Sequence, residues 1–134
     1  MDHRSRQAFF VLIALQVLHS VEEYRFRLFD VFLPAKTISQ IVSNDRALGF
    51  VTVNAALIAF GFWCYFARVR AGARTARFWA WGWVILECAN GVGHSVIAIS
   101  RGSYFPGVAT APLLIVLSVY LGYRLSGSRT MSPP

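Results

Sequence analysis

The sequence predicts an all-α protein, a four-helix transmembrane bundle with both termini cytoplasmic. Three observations predict it. Of 134 residues, 56% are hydrophobic and 14% charged, where a soluble domain is about a quarter charged, and the mean hydropathy is +0.51. Four apolar segments each approach the roughly 20 residues that a helix needs to cross a bilayer core. The 13 Lys and Arg side chains collect at the ends of those segments, which is how a chain sets its membrane topology.

The first segment runs from about Arg6 to Tyr24 and opens with FFVLIAL. It has no small-residue cleavage site and leads into HSVEE, so it is read as a span and not as a signal peptide. The second, about Ala47 to Ala67, holds one strongly polar residue, Asn54. The third, about Phe78 to Ile99, begins with Trp79, Trp81 and Trp83, read as interfacial belt residues. The fourth, about Val108 to Tyr123, is the shortest and follows the turn YFPG at Tyr104 to Gly107. In lipid, a helix is the one open-ended way for a segment to satisfy its own backbone. The tail SGSRTMSPP is polar and expected to be disordered, which makes residues 1–125 the membrane domain and 126–134 a tail.

The connection 25–46 is long for a compact bundle. Its LFDVFLP piece is apolar but too short to span. An interfacial lid and an ordinary packed loop are both open readings. With four spans, Arg4, Arg6, Arg68, Arg70, Arg74, Arg77, Arg124 and Arg129 share one side, against Arg25, Arg27, Lys36, Arg46 and Arg101 on the other. The richer side is expected in the cytoplasm, in a cell inner or plasma membrane.

The net charge of +7 sits at span ends, so no nucleic-acid partner is expected. Cys64 and Cys88 fall inside spans and are read as packed thiols, with no metal-motif spacing. No Gly-rich phosphate loop is present, and no Asp lies at span depth for a Ser/His/Asp triad.

Three of the six acidic residues lie within or at the edge of spans: Glu22, Glu23 and Glu87. His19 and His94 join them. A charged group at the centre of a bilayer helix costs about 2.5–3.5 kcal/mol on insertion scales, so such residues read as functional by default. Glu22 and Glu23 follow His19 by three and four positions and share its helical face. Glu87, Asn90 and His94, spaced three and four apart, share another, and Gly91 and Gly93 beside them would admit a close helix neighbour. Counted at 1.5 Å per residue, His19, Asn54, His94 and Thr110 all lie roughly 9–12 Å below the outer boundary, with Glu87 deeper. Singly, each has a plainer role. Asn54 and Asn90 can bond across helices, Tyr104 can anchor the interface, and Glu23 can pair with Arg25 or Arg27. Their convergence carries the functional reading.

The same residues resemble a known family. HSVEE at His19–Glu23, Asn54, ECANGVGHS at Glu87–Ser95 and YFPGVAT at Tyr104–Thr110 are similar to the ordered blocks of the HXXEE-domain membrane proteins. The resemblance implies a small multi-pass membrane protein with an active site at these motifs. It implies no particular reaction.

Two chemistries suit the set. In the first, His19, Glu23, Glu87 and His94 ligate a divalent metal, since mixed N/O ligands suit zinc, iron or manganese, and Glu22 is a further ligand or the general acid/base. Asn54, Asn90, Tyr104 and Thr110 then orient ligands or bind the substrate's polar head. In the second, Glu22, Glu23 and Glu87 are metal-free catalytic carboxyls that isomerise or cyclise an isoprenoid-like molecule by proton transfer. The metal reading is preferred, because two His and three Glu exceed what an acid–base pair needs. Either way the expected partners are the bilayer and a lipophilic small molecule, with a homo-oligomer compatible. A proton-coupled transporter or a non-enzymatic membrane protein is the remaining alternative.

Overall fold

A computed structural model of the chain describes residues 1–127. These residues form α1 (His3–Arg25), α2 (Leu28–Val31), α3 (Leu33–Val42), α4 (Arg46–Trp63), α5 (Ala76–Arg101) and α6 (Ala111–Gly127), and no strand occurs among them. Helix α4 continues without a break into a π-helical stretch, Cys64–Arg70. The expected disordered tail lies mostly outside the described residues, 128–134, and its first two residues, Ser126 and Gly127, extend α6. Two helices, Arg46–Arg70 and Ala76–Arg101, are long and apolar enough to cross a membrane, and α6 is apolar but shorter. Length and composition thus single out two of the four expected spans.

Helix α1 starts at Asp2, whose carboxylate accepts the Ser5 N–H at 3.0 Å. That hydrogen bonding, helped by the Arg124 guanidinium, holds the Asp2 carboxyl down at about 2. The Asp2–Arg124 ion pair and the bond from Arg77 to the Leu125 carbonyl bring the start of α1, the start of α5 and the end of α6 to one end of the bundle. The inward stripe of α1 is Phe9, Leu12, Ile13, Gln16, His19, Ser20 and Glu23, the spacing of one face at 3.6 residues per turn. Its first half is apolar and its second half polar. The apolar half joins Cys64, Val69, Ala80, Trp83, Val84, Leu114, Leu121 and Leu125 in the main core.

The belt reading fails for Trp83, which is buried and stands edge-on to Phe9 with ring centroids 6.5 Å apart. It lies four residues before Glu87, on the inward stripe of α5. The two glycines also differ. A Cβ on Gly91 would meet the Ala111 carbonyl at 2.7 Å, so α6 does pack close there, whereas nothing lies within 4 Å of a Cβ on Gly93.

The 25–46 connection is not an open loop. Arg27, at φ 56°, turns the chain between α1 and α2, and Asp30 ties it down through Arg27 at 2.6 Å and Arg46 at 2.9 Å. Helix α3 then lies against α4, with Leu28, Phe29, Phe50 and Phe105 forming a second small core beneath. The contact is close because residue 49 is glycine: an added Cβ would sit 2.1 Å from the Ser39 carbonyl oxygen. Overpacking of this kind costs about 1–3 kcal/mol. Gly49→Ala is therefore expected to lift α3 from α4, read as a lower unfolding temperature and as protease cleavage within 28–43. An unchanged digest would refute the close contact.

Candidate functional site

The polar half of the α1 stripe meets α5 and the Tyr104–Thr110 turn. Glu23 Oε1 lies 3.4 Å from His19 Nε2 and 3.1 Å from His94 Nε2. All three side chains are buried, and the two imidazoles stand edge-on with centroids 4.8 Å apart. Their ligand atoms all lie within 4.8 Å of one another, so the trio could hold a metal ion.

The neighbours fix the imidazole tautomers. His94 Nδ1 is 2.6 Å from the Pro106 carbonyl oxygen, which can only accept, so Nδ1 carries the proton. His19 Nδ1 is 2.7 Å from Thr110 Oγ1. That hydroxyl donates its one hydrogen to Glu22 Oε2 at 2.6 Å, so it accepts from His19. Both Nε2 atoms then face one carboxylate oxygen. Three such atoms this close need a positive centre among them, a cation or a proton.

Glu22 and Glu23 are adjacent yet do different work, because neighbouring helical residues point about 100° apart. Glu22 is wrapped by the turn. Its Oε1 accepts from the Tyr104 hydroxyl at 2.5 Å and from the Gly107 and Ala109 N–H groups at 3.1 and 3.0 Å. Its Oε2 accepts from the Thr110 N–H at 2.9 Å and from the Thr110 hydroxyl. Successive N–H groups ahead of a helix make such an anion nest. Partial burial and the Glu22 carboxylate push the Tyr104 phenol well above its usual range, which keeps it a donor. Glu22, expected as ligand or acid/base, is instead spent on holding the turn, and Tyr104 and Thr110 serve the same hold. Gly107, at φ 93°, lets the turn press on the rings: a Cβ there would meet His94 Nδ1 at 2.6 Å and His19 Cε1 at 2.8 Å.

Glu87, expected as a fourth ligand, stands outside the trio. It is seven residues before His94 on α5, about 10.5 Å along the axis. It is fully buried, neither oxygen has a hydrogen-bond partner, and the Asn90 amide comes near without bonding geometry. Glu23, Glu87, Asn90, His94 and Asn54 line one cavity of about 360 Å³, roofed by Phe32, Ala35, Ile38 and Ser39 of the α2–α3 region. Asn54 also ties α4 to α1, accepting from Ser20 Oγ at 2.8 Å and donating to the Phe50 carbonyl. Sequence reasoning missed Gln16, which donates to Ser20 at 3.2 Å and lines the cavity. Its place three residues before His19, on the same stripe, was the available signal. The Pro106 carbonyl had none, since it acts through the backbone.

A family model described as a protein of unknown function with an HXXEE motif matches residues 10–121. The chain belongs to that family. The match covers His19 through Thr110, so every residue of the trio, its turn and its cavity lies within the family domain. Neither the curated proteins nor the solved structures searched gave a match. In this member, then, the final Glu of the motif faces the two histidines, while the Glu before it builds the turn that orients them.

Proposed function

We propose that this protein is a four-span membrane enzyme in which His19, Glu23 and His94 hold one divalent metal beside a cavity for a lipid-like substrate. The observation that carries the reading is the pair of imidazoles whose Nδ1 protons are committed to Pro106 and Thr110. Outer hydrogen bonds on Nδ1 that leave Nε2 free are the usual arrangement of metal-ligating histidines. Tetrahedral ligands at about 2.0–2.1 Å from a zinc stand roughly 3.3–3.4 Å apart, close to the 3.4 and 3.1 Å separations from Glu23. Three protein ligands leave a position open, as in catalytic sites. Zinc, iron or manganese fits this donor set, and such an ion would polarise a substrate oxygen or activate a water. Glu87, unpartnered in the same cavity, is the candidate general acid/base.

The membrane placement rests on an inside-out distribution. Leu18 and Val21 of α1, Leu48 and Val51 of α4, Ile85, Val96 and Ile99 of α5, and Val116 and Val119 of α6 are exposed, while His19, Glu23, Glu87 and His94 are buried. Apolar surface on this scale marks contact with a nonaqueous partner. Four spans, with the termini and the arginine-rich turn in the cytoplasm and the site in the outer half, accommodate it.

Metal analysis of the purified protein beside His94→Ala and Glu23→Gln tests the reading. One ion per chain is expected in the wild type and none in either variant. A folded protein free of metal from metal-supplemented cells would sink it. That result would favour the second reading, proton-transfer chemistry on a lipophilic substrate, whose specific support is the unpartnered Glu87 carboxyl. A proton relay through the bundle has less support, because the core beyond Glu87 is the apolar Phe9–Leu12–Trp83–Leu114 cluster.

A further inference from the structure

Helices α4 and α5 are joined by a short connection, yet their backbones stay apart and they meet chiefly through the rings of Phe60, Trp63, Trp79 and Trp83. Helix α4 packs on α1 and α3, and α5 packs on α6. The polar cavity lies between them, and so does a second apolar hollow of about 290 Å³ lined by Leu57, Phe60, Phe78, Trp79, Gly82, Trp83 and Leu86. Leu57 and Leu86 border both hollows, so the two lie end to end along the α4–α5 cleft. Its far end is closed by aromatic contacts, Phe60 on Trp79 at 5.6 Å and on Trp83 at 6.3 Å. From Asn90 to Phe78 the cleft is about 18 Å long at the helical rise, which suits an extended hydrocarbon chain.

The polar end states what the head of such a chain must be. Glu87 is fully buried, and neither oxygen has a partner. Leaving a buried polar group unsatisfied is costly, and a carboxylate is satisfied by donors. Glu23 adds a second carboxyl to the same wall, so an anionic head would be repelled. We propose that the α4–α5 cleft is a lateral port for a single-chain amphiphile whose head donates a hydrogen bond, a long-chain alcohol or amine, with the head at Glu87 and the chain along Leu57, Leu86, Phe60 and Trp79. The inference deepens the enzyme reading and rests on it for the membrane setting, but it needs no metal.

Gly82 gives a clean test. It lines the tail hollow, and nothing lies within 4 Å of a Cβ placed on it, so Gly82→Leu adds apolar bulk at the hollow with room at its Cβ and replaces glycine by a better helix former. The full chain in lipid nanodiscs is photolabelled with hexadecanol carrying a diazirine at its chain end, and the labelled peptides are mapped. Label is expected on the segments containing Phe60, Phe78 and Trp79. Unlabelled hexadecanol or hexadecylamine should compete, and palmitate or hexadecyl methyl ether should not. Competition by only one of the two donors identifies the head. Gly82→Leu should weaken labelling roughly tenfold, which displacing two methylenes suffices to cause, with its metal content equal to that of the wild type. Glu87→Leu should erase the preference for the alcohol over the ether. Label spread evenly over the outer faces of α1 and α6, or equal competition by the ether, overturns the port. Cleft labelling in a metal-free protein upholds the port and overturns the metal reading alone.

Discussion

On the proposed metal reading, Glu22→Ala is expected to unfold the site and Glu23→Gln only to empty it. Glu22 accepts five hydrogen bonds from Tyr104, Gly107, Ala109 and Thr110, and bonds to a charged group contribute about 1.5–3 kcal/mol each. Part of the turn is exposed and would be resolvated, so the expected loss is well below the sum, about 3 kcal/mol. The same turn fixes both Nδ1 positions, so metal binding falls with stability. Glu23→Gln behaves otherwise. The substitution keeps the shape of the side chain and removes a charge whose burial opposes folding, and the new amide can donate to His94 Nε2, 3.1 Å from the present carboxylate oxygen. Stability is expected to stay within about 1 kcal/mol of wild type while the bound metal is lost. Thermal unfolding in detergent with metal content measured on the same samples distinguishes the two. Equal destabilisation by both substitutions would refute the division of labour.

Gly107→Ala carries the next largest effect. The residue holds φ 93°, a region that costs a side-chain-bearing residue about 1–2 kcal/mol. The new methyl would also sit 2.6 Å from His94 Nδ1 and 2.8 Å from His19 Cε1, and both rings are locked against Glu23. Overpacking adds about 1–3 kcal/mol, so a total of roughly 2–4 kcal/mol is expected. Relief requires the rings to part, which breaks the trio. Metal affinity should fall at least tenfold even where the fold survives, as measured by competition with a chelator. Wild-type affinity in a stable Gly107→Ala protein would show that the turn does not press on the histidines.

Much of the site was legible before any coordinates. Helical spacing placed Glu22 and Glu23 on the face of His19, and Glu87 and Asn90 with His94. The matched depths of His19, His94 and Thr110 anticipated their contact, now seen in the His19–Thr110 bond and the edge-on imidazoles. Spacing fell short where a facing backbone decides the outcome. Periodicity cannot say that three N–H groups of the 107–110 turn would claim Glu22, or that Pro106 would offer its carbonyl to His94. It grouped Glu87 with the ligands because it lies on the same face, although two turns of helix separate it from His94. Trp83 was misread because its aromatic neighbours suggested an interface, while its place on the stripe of Glu87 put it inside.

The amino-acid order by itself determined the all-helical architecture, the stripes on α1 and α5, and the identity of the ionisable groups drawn into the interior. Those follow from local geometry and from the cost of exposing each residue type, which the chain carries within itself. Only the tertiary structure decided which carboxyl meets the imidazoles, which one holds the turn, and which is left facing the cleft. These choices depend on hydrogen-bond donors brought from more than eighty residues away, at |i−j| of 82 to 88, and a donor's aim exists only once the helices have packed.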